Sequence, residues 1–78
     1  MASKLTPVSW KTLKKIAEHL GFSYVRTKGD HMAFNKPGAL RPIIIPKYPT
    51  INDPRIVKSF ISTAGITQEE FLKLKDTL

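Results

Sequence analysis

The stretch Phe22-Ser23-Tyr24-Val25-Arg26-Thr27-Lys28-Gly29-Asp30-His31-Met32-Ala33-Phe34-Asn35-Lys36 decides the fold. Its first part, residues 22–27, is rich in aromatic and β-branched side chains, which fit a pleated surface. Lys28-Gly29-Asp30 is turn chemistry, because glycine accepts backbone conformations closed to other residues. Residues 31–36 then alternate again. Two such runs around a short glycine-containing turn predict an antiparallel hairpin. Successive strand side chains point to opposite faces, so Met32 and Phe34 share one face and His31, Ala33 and Asn35 the other. The apolar pair belongs against helices, which puts His31 on the open face of the sheet or at its rim.

Working outward, Pro37-Gly38 forms a second turn and residues 40–45 a third strand. Pro42 implies that one edge of that strand is unpaired there. The three strands make an antiparallel meander. On the N-terminal side, residues 1–8 are a lead-in that ends at Pro7, and Ser9 is an N-cap for a helix over residues 9–20. Trp10, Leu13, Ala17 and Leu20 recur at spacings of three and four and mark its buried face, with Lys11, Lys14, Lys15 and Glu18 on the other side and Gly21 as C-cap. Residues 46–52 read as a loop. Asp53-Pro54 opens a second helix, with Ile56, Val57, Phe60, Ile61 and Ala64 inward and Gly65 as its stop. Thr67 with Glu70 is a capping box for a short last helix anchored by Phe71 and Leu74. The expected fold is α+β, in the order α-β-β-β-α, with a three-stranded antiparallel sheet, helices on one face and a short extra C-terminal helix. That order is compatible with a double-stranded-RNA-binding-like arrangement.

The chain has 78 residues, enough for a single domain over residues 1–78 with a thin core, so any site lies at or near the surface. It contains no cysteine, which excludes disulfides, thiol nucleophiles and Cys-based zinc sites and agrees with a cytosolic setting. The longest aliphatic run, Ile43-Ile44-Ile45, is far too short for a membrane span, and no apolar stretch of signal-peptide length follows Lys4. The formal net charge is +7, and the excess sits in residues 1–65. A positive body suits a polyanion such as nucleic acid. An acidic protein partner, or a surface kept basic for solubility, are the other readings.

His31 is the candidate for chemistry, because histidine titrates nearer to neutral pH than any other side chain. Its face weighs against the role of a bonded core histidine and leaves chiefly a functional group or an ordinary surface residue at a turn. His19 falls off the apolar stripe, in the last turn of the first helix, where the helix dipole accounts for it. Two histidines well apart, with no cysteine, make a poor metal site. No metal and no cofactor are expected.

From about Lys4 to Leu74 the chain resembles the HicA-type toxins of bacterial and archaeal toxin–antitoxin systems, also called the YcfA-like family. The resemblance is carried by Leu5-Thr6-Pro7-Val8-Ser9, Leu20-Gly21-Phe22, Lys28-Gly29-Asp30-His31, Ile45-Pro46, Ala64-Gly65-Ile66-Thr67 and Glu69-Glu70-Phe71, in this order and spacing. It implies a small ribonuclease that cleaves messenger RNA, a double-stranded-RNA-binding-like fold, a catalytic histidine at His31 and a HicB-type antitoxin that covers it. The family usually has serine where Asp30 stands, and often a second histidine where Tyr48 stands.

With that resemblance, His31 is expected to act as general base on the 2′-hydroxyl of a single-stranded RNA, without metal. Lys28, Arg41 and Lys47 are the expected phosphate-binding cations, and Asp30 and Tyr48 possible accessories, the acid being water, Tyr48 or the protonated His31. The free toxin is expected as a cytoplasmic monomer. A non-catalytic RNA-binding module, or a degenerate toxin kept to bind its antitoxin, is the alternative.

Overall fold

The computed structural model describes residues 5–78, and residues 1–4 of the lead-in, with Lys4, lie outside them. The elements run α1 (Trp10–His19), β1 (Ser23–Lys28), β2 (His31–Asn35), β3 (Ile43–Pro46), α2 (Pro54–Ala64) and α3 (Gln68–Thr77). The strands form one antiparallel sheet in the order β1-β2-β3. This is the α+β order read from the sequence, with three helices over one face of the sheet.

Each helix opens on a side-chain cap that satisfies an otherwise orphaned backbone N–H. Ser9 Oγ accepts from Thr12 N–H at 3.3 Å, Asp53 Oδ1 from Arg55 N–H at 2.9 Å, and Thr67 Oγ1 from Glu70 N–H at 3.1 Å. Among the described residues Glu70 returns no bond, so the expected capping box is half formed. Gly65 ends α2 at φ 76°, a left-handed cap that needs no Cβ.

The core joins Leu13, Ile16 and Ala17 of α1, Met32, Phe34, Ile43 and Ile45 of the sheet, Val57, Phe60 and Ile61 of α2, and Phe71 of α3. Met32 and Phe34 therefore face the helices, as strand alternation requires. Phe60 and Phe71 meet edge to face, their ring centroids 6.0 Å apart, which docks α3 on α2.

Several details differ from the sequence reading. Ile16 is fully buried, while Trp10 and Leu20 at the ends of α1 are half-buried. Ile56 and Leu74 are likewise half-buried. β1 is exposed along its whole length, because it is the sheet edge that no helix covers. The third strand starts at Ile43 rather than residue 40, since Pro42 has no N–H to pair and Leu40 stands in solvent. The lead-in and the loop after β3 contribute to the core: Val8 and Ile51 are buried and exchange backbone bonds of 3.1 and 2.7 Å. The terminal helix α3 is not short, matching α1 at 10 residues. Among the described residues no helix is long and apolar enough to cross a membrane.

Candidate nucleic-acid site on the open face

The turn between β1 and β2 sets the geometry. Gly29 has φ 60° while no other residue type takes positive φ among the described residues, the sign pattern of a type II′ turn with glycine first. Such a two-residue loop makes Lys28 and His31 direct cross-strand partners. Side chains so paired leave the same face of a sheet about 5 Å apart. One step along, Arg26 pairs with Ala33. A register shift between Tyr24 and Arg26 puts Tyr24 and Thr27 on the same side, where the Tyr24 hydroxyl meets Thr27 Oγ1 at 2.6 Å. Arg26 and Lys28 thus stand together on the open face.

The third strand completes a small tile. His31 pairs with Pro46 and Ala33 with Ile44. Arg26, Lys28, His31, Ala33 and Ile44 line one shallow depression. Ala33 is buried beneath its larger neighbours although it lies on the open face. A second groove, of about 460 Å³, runs between β3 and the start of α2 and has His31 at its rim with Ile44, Tyr48, Arg55, Ile56 and Ser59. His31 therefore stands where the two depressions meet. It is exposed and makes no hydrogen bond among the described residues. Its one ring contact among the described residues is with Tyr48, at a centroid distance of 6.5 Å and an interplanar angle of 73°.

The residues singled out from the sequence separate here. Lys28 and Tyr48 join His31. The Asp30 carboxylate makes no ion pair or hydrogen bond among the described residues, while its carbonyl accepts from Lys47 N–H at 2.6 Å. That bond ties the loop after β3 to the hairpin turn. The Lys47 ammonium points away from the tile and lies 5.3 Å from the centre of the Trp10 ring. Arg41 is not brought to His31. Its Nε donates to Thr63 Oγ1 at 3.1 Å, beyond the other end of β3, about 16 Å along the chain from Pro46. His19 stays in the last turn of α1.

Two cations escaped the sequence reading. Arg26 was legible, lying two residues from Lys28 on a strand. Arg55 was not, since only the packing of α2 beside β3 brings it to the groove. Its guanidinium grips Asp53 with two bonds, Nε to Oδ1 at 3.1 Å and Nη2 to Oδ2 at 3.0 Å, leaving Nη1 without a partner among the described residues. The side-chain and backbone hydrogen bonds from Arg55 hold the Asp53 carboxyl below its ordinary range. The same pairing raises the Arg55 guanidinium, which stays charged. Among the described residues no group of three or more His, Cys, Asp or Glu side chains is placed to hold a metal ion.

No curated protein and no solved structure matches the chain. The family described as the HicA toxin of bacterial toxin–antitoxin systems matches residues 10–66. That span takes in α1, the sheet, α2 and every residue of the tile and groove. The chain belongs to the HicA toxins, the toxin half of a toxin–antitoxin pair.

Proposed function

We propose that this toxin is a metal-independent endoribonuclease that cleaves messenger RNA in the cytoplasm, with His31 as general base, and that a HicB-type antitoxin neutralises it. The supporting observation is the setting of His31: exposed, without a hydrogen-bond partner among the described residues, and directly across from Lys28 with Arg26 beside it. A histidine that serves the core is hydrogen-bonded there. This one stands free among cations on an open face.

RNA brings its own nucleophile. His31 takes the proton from a 2′-hydroxyl, and that oxygen attacks the adjacent phosphorus. The bond from phosphorus to the 5′-oxygen breaks, giving a 2′,3′-cyclic phosphate and a 5′-hydroxyl. Negative charge on the phosphoryl oxygens is met by Lys28, Arg26 and the free edge of Arg55. His19, the other histidine, belongs to α1 on the helical side of the sheet, so the departing oxygen takes its proton from water or from the protonated His31. General-base catalysis of this kind contributes roughly 10²- to 10⁴-fold. A strand lacking the 2′-hydroxyl binds but is not cut. The free toxin acts as a monomer, and its net charge of +7 fits an acidic antitoxin surface laid over the cationic tile.

Expression of the wild type and of His31→Ala in bacterial cells tests the reading. Growth arrest with loss of messenger RNA is expected from the first and not the second, and co-expression of the antitoxin restores growth. Equal RNA loss from both removes His31 as the base, and RNA binding without any cleavage supports the non-catalytic alternative.

A further inference from the structure

The open face exposes two large apolar side chains that the core does not use: Ile44 is 47% and Tyr48 40% exposed, and both line the groove with His31 at its rim. In so small a protein, an apolar pair left beside a free histidine and set among three cations is unusual. Tyr48 is also held in place. Its N–H donates to the Pro46 carbonyl at 2.8 Å, a three-residue turn, and its carbonyl accepts from Trp10 N–H at 3.3 Å. The ring meets His31 at a steep angle, and no other aromatic ring packs on it among the described residues. Its backbone is fixed, and its ring offers surface to solvent.

We propose that Tyr48, with Ile44 beside it, is a nucleobase platform that holds one unstacked base of a single-stranded nucleic acid next to the phosphate facing His31. This rests on the ribonuclease reading for its biological substrate, but its chemistry is separate from cleavage. Single strands are gripped by cations along the backbone interleaved with aromatic rings that stack bases. Arg26 and Lys28 lie on one side of His31, and Arg55 lies in the groove with Tyr48 on the other. A duplex keeps its base faces stacked inside and offers nothing to the ring. The role assigned to Tyr48 is stacking rather than proton donation, so its hydroxyl is dispensable and its ring is not.

The test uses the full-length protein and fluorescently labelled thymidine oligonucleotides, which lack the 2′-hydroxyl and report binding without cleavage. Their partner is an abasic strand of equal length and charge. Wild type is expected to bind the thymidine strand about tenfold more tightly than the abasic one. Tyr48→Phe retains that preference; Tyr48→Ala loses it while binding the abasic strand as before. The unchanged abasic affinity also shows that the variant is folded. Equal binding of the two strands by wild type, or a preference that survives Tyr48→Ala, overturns the platform. Binding of neither strand also overturns it and leaves the face to a protein partner. A base preference in a protein that cuts no RNA keeps the platform and refutes the nuclease reading, so the two failures are distinct.

Discussion

At the scale of the residue, the charges that stand near His31 set how a phosphate would be held. Strand alternation places Lys28 and Arg26 there, and packing of α2 adds Arg55. Asp30 works against them, since its carboxylate has no partner among the described residues with which to discharge its field. An exposed unit charge some 5–8 Å from a phosphate contributes about 0.5–1 kcal/mol of repulsion in water. Asp30→Ser is therefore expected to tighten RNA binding about two- to fivefold at low salt, read by titration of a labelled oligonucleotide, and serine suits the same turn. No change would mean that the carboxylate points clear of the bound strand. The position of His31 was legible in the sequence because a period-two pattern fixes a face. Arg41 and Lys47 lie away from His31 for a physical reason. Both lie near β3 in the chain, but a long side chain goes to the nearest hydrogen-bond or π partner, here Thr63 and Trp10.

At the scale of the element, the helices carry two tests. Phe71 is the one buried residue of α3 and meets Phe60. Phe71→Ala is expected to destabilise the protein by about 3–5 kcal/mol in denaturant titration, enough to threaten a fold of this size. A loss near zero would show that α3 is not docked. Asp53 caps α2 and pairs with Arg55, which lowers its carboxyl pKa in the folded state. A depressed carboxyl contributes stability above its unfolded pKa, and that contribution is lost as the pH falls through the folded value. Asn caps as well as Asp, so Asp53→Asn isolates the charge. Thermal melts should show the variant less stable than wild type at neutral pH, with the gap closing under acid. A gap independent of pH would contradict the pairing. The helix starts were readable from Ser9, Asp53 and Thr67, because capping is local chemistry. The Val8–Ile51 bridge was not, since it joins two irregular segments far apart in the chain that carry no periodicity. Ile16 fitted the spacing of Leu13, Ala17 and Leu20, and that helix face is wider than the residues first assigned to it.

At the scale of the whole molecule, the net charge of +7 gains meaning only when it is located. Three cations around His31 predict that the logarithm of the affinity for single-stranded RNA falls against the logarithm of salt with a slope of about −2. Replacing Arg26 and Lys28 together should flatten that slope to about −0.7, whereas an unchanged slope would place the binding elsewhere on the basic body. Composition could announce a polyanion partner, and the two depressions meeting at His31 give the proposed site its place on the surface. The most direct measurement is cleavage of a messenger RNA by purified wild-type protein and by His31→Ala, in the presence of a chelator, with the product ends analysed. Fragments ending in 2′,3′-cyclic phosphate are expected from the wild type, and a rate at least about 10²-fold lower from the variant. Equal rates, or cleavage that stops when the chelator is added to wild type, would contradict it.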